Sequence, residues 1–154
     1  MSDGIGYLLS DSARLLRRRF DERARSLGVS RAQWQVLFAL SRAEGTNQAG
    51  LAELLDVETI TVGRMVDRLE EAGLVERRAD PADRRAWRLH LTPRAHPLLA
   101  QLREVGEEVM AETLSGLDST EEAVLTELLA RVRSNLQRRP DSSSEPRARA
   151  GSRR

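Results

Sequence analysis

Apolar residues recur at helical spacing along the first 72 residues, and this pattern predicts four successive helices. The first helix runs over residues 5–27 and stops before Gly28, because glycine readily ends a helix. Ser30 and Gln33 form a capping-box pattern that opens the second helix. The arginines and acidic residues between the apolar positions face water, so each helix offers one apolar side to a core.

The third and fourth predicted helices are joined by a turn of only three residues. Asn47 can cap the short third helix, which ends near Leu55, and the fourth runs from Thr59 to Ala72. Spacing of i, i+3, i+4 and i+7 predicts that this helix buries Val62, Met65, Val66 and Leu69. A short helix, a brief turn and a longer helix are typical of a helix-turn-helix.

After Gly73 the period of the pattern changes from 3.6 to 2, which predicts a β-hairpin. The first strand covers residues 74–78, residues 79–86 form the turn, and the second strand covers residues 87–91. Alternation gives the second strand one apolar side, formed by Trp87, Leu89 and Leu91. Because two strands alone are only marginally stable, the hairpin is expected to pack against the helices.

Two longer helices are predicted after the hairpin. Thr92 as cap and Pro93 at the first helical position open a helix that runs to about Leu114, and Pro97 should bend or delay its start. The last helix opens with a capping pattern of Ser119 and Glu122. Its apolar stripe is formed by Leu125, Leu128, Leu129, Val132 and Leu136.

The chain is therefore expected to be mainly α with a small β-hairpin, and residues 1–138 to form a single domain. Residues 30–92 form a winged helix-turn-helix lobe, and residues 5–27 and 93–138 form a helical dimerisation region. The leucines outside the lobe exceed what a small core can absorb, which favours a homodimer, although they could also pack within one subunit; these include Leu98, Leu99 and Leu102.

Composition excludes several classes of chemistry. The 154 residues carry 25 basic and 24 acidic side chains, so the net charge of +1 does not indicate a partner. Every basic residue is arginine, which coding bias explains as readily as function does, and each guanidinium suits phosphate or a guanine edge. Without cysteine there can be no disulfide, thiolate metal site or thiol redox sensor.

No membrane segment or signal is predicted. The longest apolar stretches are far shorter than the roughly 20 residues that span a bilayer, and the first residues lack a secretory pattern. We therefore expect a cytoplasmic protein without a membrane partner. Residues 139–154 contain no large apolar side chain and are predicted to be a disordered, arginine-rich tail, which could either attract phosphate or simply keep the chain soluble.

The face of the fourth helix opposite its apolar stripe is a candidate DNA-binding surface. Threonine can hydrogen-bond base edges or phosphates, and Arg64 is the expected base contact. Gly63 costs a helix about 0.5–1 kcal/mol relative to alanine, which a close approach to DNA would explain. The remaining candidates on this face are Thr59, Ile60 and Thr61. An ordinary solvated face with one arginine is the alternative.

The hairpin turn, DPADRR at 80–85, carries adjacent arginines at its tip. Arg84 and Arg85 could touch phosphates or enter the minor groove, where narrow A·T stretches attract arginine. Asp80 and Asp83 can accept backbone N–H groups and orient a guanidinium. The alternative is a charged surface turn that binds no ligand. The turn follows directly after a helix-turn-helix, and this position favours a role in DNA binding.

Residues 57–92 resemble the multiple-antibiotic-resistance regulator (MarR) family of bacterial transcription factors. The resemblance rests on the fourth helix with Arg64, the string GLVER at 73–77, DPADRR at 80–85 and the closing LHLT at 89–92. It implies a homodimeric repressor or activator on pseudo-palindromic double-stranded DNA. It further implies that the first, fifth and sixth helices interlock between subunits, and that a small-molecule effector binds between this region and the DNA-binding lobe.

Matched position by position, the resemblance places Thr59, Ile60, Thr61 and Arg64 on the recognition helix. It places Arg84 and Arg85 on the wing, and Asp83 at the carboxylate that orients a wing arginine. Repression is the favoured sign of regulation.

Other functions have less support in the sequence. A winged-helix module that binds a protein partner would need an apolar exposed helix face, and Ile60 alone supplies this. No catalytic triad, phosphate-binding loop or pair of catalytic carboxylates is present, so neither an enzyme nor a cofactor is predicted. His90 and His96 lack companion ligands for a metal. Tyr7 and Trp34 could line an effector pocket, although aromatics at helical spacing more often belong to a core.

Overall fold

The structure, a computed structural model, describes residues 3–138, and the tail predicted at 139–154 lies outside the described residues. In chain order the elements are α1 (Asp3–Ala24), a 3-10 helix (Arg25–Leu27), α2 (Arg31–Arg42), α3 (Gln48–Leu55), α4 (Thr59–Glu71), β1 (Val75–Ala79), β2 (Trp87–Leu91), α5 (Ala95–Thr113) and α6 (Ser119–Gln137). The prediction of a mainly α fold with a small β-hairpin is confirmed. Residues up to Thr113 form one compact unit, and α6 belongs to a second.

Two predicted helix caps are present. At the start of α2, the Ser30 hydroxyl accepts the Gln33 N–H at 3.3 Å, and the Gln33 side chain accepts the Ser30 N–H at 2.9 Å. At the start of α3, Asn47 Oδ1 accepts the Gly50 N–H at 2.8 Å. The turn to α4 begins at Asp56, whose backbone is left-handed with φ 52°. The sequence therefore sets both ends of α3, the first helix of the helix-turn-helix, locally.

The apolar stripe of α4 is buried as predicted. Val62, Val66 and Leu69 are fully buried and Met65 is partly buried. They share a core with residues of the other helices and the hairpin, among them Val36, Leu37, Leu40, Leu51, Val75, Leu89, Leu91, Leu99 and Leu102. This single core holds α4 with its opposite face toward solvent.

The hairpin is antiparallel, with Val75 opposite Leu91 and Ala79 opposite Trp87. The loop between α2 and α3 pairs with β2, since the Leu89 N–H donates to the Thr46 carbonyl at 2.9 Å. This bond fixes the hairpin to the helix-turn-helix. Trp87, Leu89 and Leu91 lie on one side of β2 as predicted, but only Leu89 and Leu91 are buried, because the strand extends beyond the edge of the core at Trp87.

The predicted start of α5 was wrong by two residues. The Thr92 hydroxyl does not cap this helix but donates to the Gly73 carbonyl at 2.6 Å, which ties the end of β2 to the end of α4. Regular helix begins at Ala95. Pro97 then falls in the first turn, where its missing N–H leaves no helical hydrogen bond unmade.

The start of α6 and the assignment of surplus leucines also need correction. Asp118, not Ser119, caps α6, and its carboxylate accepts N–H groups of Thr120 and Glu121, which replaces the predicted Ser119–Glu122 pair. Leu99 and Leu102 are buried within the chain's own core. They are therefore not available as surplus for a partner subunit.

Candidate nucleic-acid interface

The solvent-facing side of α4 carries the predicted candidates. Thr59, Ile60 and Thr61 lie in its first turn and Arg64 one turn later, and all four are exposed. Ile60 has 70% of its surface exposed. Because the apolar stripe on the opposite side is buried in the core, this side of α4 faces solvent. The apolar pattern of the sequence therefore predicts which α4 residues are accessible to a ligand.

Gly63 faces the side chain of Gln48 inside the helix-turn-helix. A Cβ atom there would lie 2.8 Å from Nε2 of Gln48, the first residue of α3. That Nε2 group donates to the Thr59 carbonyl at 3.0 Å. The Gln48 side chain therefore occupies the space above Gly63, and a side chain at position 63 would require Gln48 to move.

The wing tip is ordered by its two aspartates. Asp83 Oδ1 accepts the backbone N–H of Arg85 at 2.9 Å, and Asp80 Oδ1 accepts that of Ala82 at 2.9 Å. Asp83 thus holds the backbone that carries Arg85 and makes no ion pair within residues 3–138. The carboxylate that does hold a guanidinium is Asp80, which accepts from Arg88 Nε at 3.0 Å.

Two wing arginines remain free while three are neutralised. Arg77 pairs with carboxylates on α4, Arg78 with Glu76, and Arg88 with Asp80. Arg84 and Arg85 are exposed and form no ion pair with any described residue. The hairpin arginines without an ion pair therefore both lie at its tip, the position predicted to meet an anionic partner.

The charge state of Asp80 is set by the same contacts. The backbone N–H of Ala82, and with it the guanidinium of Arg88, holds the pKa of the Asp80 carboxyl below its ordinary value, although desolvation opposes this effect. Asp80 is consequently charged, and able to keep Arg88 in place, at any pH near neutrality.

Arg77, which was not among the predicted site residues, joins the hairpin to α4. It donates to Asp67 Oδ1 at 2.7 Å and also to Glu70. Alternation in β1 carries the signal that could have revealed this contact. Arg77 shares its side of the strand with the buried Val75, and so it must point toward the helices and not into solvent.

A cavity of about 560 Å³ opens between α1, α2, the end of α3 and α5. Its wall is largely apolar, with Phe20, Trp34 and Met110 among its members, and two arginines, Arg17 and Arg42, also line it. Trp34 additionally donates from Nε1 to Asp21 Oδ1 at 2.8 Å. Trp34 is therefore both a packed aromatic and a cavity wall, whereas Tyr7 does not line the cavity.

Within residues 3–138 no cluster of three metal-binding side chains occurs, and His90 Nδ1 lies 3.8 Å from a carboxylate oxygen of Glu44. None of the described helices combines the length and apolar character required to cross a bilayer.

A helix-turn-helix followed by an arginine-tipped hairpin defines the class of winged-helix DNA-binding proteins. The sequence model of the MarR family matches residues 27–86. The transcriptional regulator PA3341 is 38% identical, with 88% of this chain and 99% of that chain covered and a TM-score of 0.77. Wild-type apo MarR from E. coli is 30% identical, with 82% and 95% covered and a TM-score of 0.76.

A cysteine-to-serine mutant of MarR from E. coli, complexed with operator DNA, is 29% identical, with 84% and 93% covered and a TM-score of 0.73. The chain therefore belongs to the MarR family of transcriptional regulators. These are DNA-binding proteins that are generally not enzymes, and nothing in residues 3–138 indicates catalysis.

Proposed function

We propose that this protein is a sequence-specific repressor that binds a pseudo-palindromic operator as a homodimer and is released by a small-molecule effector. The observation that carries this proposal is the combination of an exposed polar face on α4 with a free pair of arginines at the wing tip. α4 enters the major groove, which has the width of a helix. The solved complex of an E. coli MarR mutant with operator DNA supports an operator as the partner.

Each site residue has a proposed role. Arg64 donates to a guanine edge, which is worth about 1–3 kcal/mol of discrimination against other bases. Thr59, Ile60 and Thr61 contact bases and backbone from the first turn of α4. Arg84 and Arg85 contact phosphates or the minor groove, and Asp83 fixes the backbone that presents Arg85. We further propose that this MarR-family regulator acts on DNA in the bacterial cytoplasm.

The homodimer is supported by apolar faces that the described chain does not cover. On α1 the side chains of Ile5, Leu8 and Leu9 are exposed. The predicted stripe of α6 is exposed along its whole length, at Leu125, Leu128, Leu129, Val132 and Leu136. Exposed apolar faces of this extent mark interaction sites. A twofold dimer would set two copies of α4 about 34 Å apart, on successive major grooves.

Release by an effector is supported by the cavity beside α1, α2 and α5. Its volume of about 560 Å³ lies within the range of about 300–1,000 Å³ that is typical of small-molecule sites. An occupant there would contact α5 and α2 together, and α2 packs against α4 in the core. Binding can therefore be coupled to the position of α4.

A module that binds a protein partner through α4 is the second candidate function, favoured by the exposure of Ile60. Capture of genomic fragments separates the two. Wild-type protein should enrich a short inverted repeat, and footprinting should protect two half-sites one helical turn apart. Arg64→Ala should lose the enrichment, whereas the exposed α5 change Arg103→Ala should keep it. Equal recovery of all sequences would contradict the sequence-specific repressor.

A further inference from the structure

Trp87 is the one large aromatic side chain of the hairpin, and 54% of its surface is exposed. It lies on the same side of β2 as Leu89 and Leu91, which are 1% and 5% exposed, but two residues beyond the edge of the core. A single exposed apolar side chain is ordinary. The surroundings of this one are what distinguish it.

Trp87 lines a cleft of about 310 Å³ between the hairpin and the start of α3. The other lining residues are Asn47, Gln48, Ala49, Arg77, Arg85, Ala86 and Leu89, and none of them is acidic. Arg85 is one of the two wing-tip arginines that form no ion pair with a described residue. Gln48 also bonds the Thr59 carbonyl at 3.0 Å. The cleft therefore reaches the wing tip at Arg85, and Gln48 in its wall is bonded to the first turn of α4.

We propose that Trp87 contacts the sugar–phosphate backbone of bound DNA, in the segment that passes between the major groove under α4 and the tip of the wing. This inference rests on the proposed function, because it requires α4 and the wing to engage one duplex. The indole face packs on deoxyribose, and Nε1–H donates to a phosphate oxygen.

The chemistry of the indole fits this partner. Tryptophan combines an apolar body with a group that can only donate a hydrogen bond, and phosphate oxygens can only accept. Arg85 lines the same cleft and its positive charge attracts the phosphate, and no acidic residue is in the lining to repel it. Contacts to the backbone carry no sequence information, so Trp87 contributes affinity and register but not base preference.

The two tryptophans make this testable by fluorescence. Trp34 is partly buried and bonded to Asp21, so Trp34→Phe reports Trp87 alone and Trp87→Phe reports Trp34 alone. A dye-labelled random-sequence duplex of roughly three helical turns serves as probe at low salt, and its anisotropy reports binding independently. Saturating duplex should reduce quenching of Trp87 by acrylamide to the level of Trp34, and should leave Trp34 unchanged.

Affinity provides the second readout. Trp87→Ala should weaken binding about two- to tenfold, the size of one hydrogen bond with its packing contact, and by the same factor for a selected operator fragment and for the random duplex. If Trp34→Phe does not fold, the wild-type emission minus that of Trp87→Phe gives the Trp87 signal.

The outcomes are distinct. If anisotropy reports a complex while Trp87 stays fully accessible to acrylamide, the proposed contact is overturned and the proposed function stands. A loss of affinity in Trp87→Ala that differs between operator and random duplex would also overturn the backbone contact. If neither the random duplex nor any genomic fragment binds, the proposed function and this inference both fail.

Discussion

The guanidinium of Arg77 on β1 donates to the carboxylate of Asp67 on α4 at 2.7 Å, and also to Glu70 one turn along. Burial disfavours the charge of Arg77, but the hydrogen bonds and charges of the two carboxylates outweigh it, so that the pKa of Arg77 is raised. Arg77 therefore stays charged, and the hairpin is fixed to the very helix whose outer face is the candidate recognition surface.

Replacing Arg77 with glutamine should loosen the hairpin from α4. We expect the free energy of unfolding to fall by about 1 kcal/mol, the upper range for partly exposed ion pairs, and DNA affinity to fall with it. Chemical denaturation and a binding titration measure both. Arg78→Gln is the matched control, because Arg78 pairs with Glu76 on its own strand. Equal effects of the two changes would contradict the bridging role.

Replacing Arg85 with alanine should change the salt dependence of DNA binding. Each phosphate contact contributes about −0.9 to the slope of log K against log salt concentration. We therefore expect the slope to become shallower by about 0.9 if Arg85 makes one such contact. Arg103→Ala on α5 should leave it unchanged. An Arg85→Ala protein with the wild-type slope would show that the wing tip does not meet phosphate.

Asp80 should titrate below the ordinary carboxyl range. Because its pKa is lowered in the folded chain, its contribution to stability is complete above the unfolded value of about 3.9 and is lost as the pH falls through the lower folded value. An NMR titration of the Asp80 side-chain carboxyl measures this midpoint. In Arg88→Gln the midpoint should rise toward the ordinary value. A wild-type midpoint at or above the ordinary value would refute the assigned contacts.

Gly63 and Gln48 should be energetically coupled. Alanine is the better helix former by about 0.5–1 kcal/mol, but at position 63 its Cβ would meet the Gln48 side chain. Gly63→Ala should therefore stabilise the protein more in a Gln48→Ala background than in the wild type. Urea denaturation of the four proteins gives the coupling energy. Identical effects in both backgrounds would indicate that the two residues do not interact.

The sequence predicted the parts of the fold that depend on local chemistry. The caps at Ser30 and Asn47 depend only on residues three positions apart, and the buried stripe of α4 depends only on the helical period. The two caps and the stripe are confirmed. Thr92 was misassigned because its hydroxyl has a tertiary acceptor, the Gly73 carbonyl. At α6, two neighbouring residues could each cap the helix, and Asp118 takes the position.

The sequence pattern of a single helix or strand does not show which of its apolar residues are covered by other elements. Period 2 assigned Trp87 to the correct side of β2, but it does not indicate where the core ends. Leu99 was assigned to the apolar residues left over for a partner subunit, but it is buried in the chain's own core. How far the core extends under α5 depends on tertiary packing, which the local sequence pattern does not show. For the candidate site, the exposed residues of α4 follow from the pattern, whereas the Gln48–Thr59 and Arg77–Asp67 contacts depend on how the elements pack.

The stoichiometry of the DNA complex tests the central claim, that two chains place two copies of α4 on one operator. Sedimentation velocity of the full chain with a genomic fragment selected by the protein provides the measurement. We predict one complex that contains two chains per duplex, with no stable species of one chain per duplex. A complex with a single chain, or no complex with any selected fragment, would contradict the account.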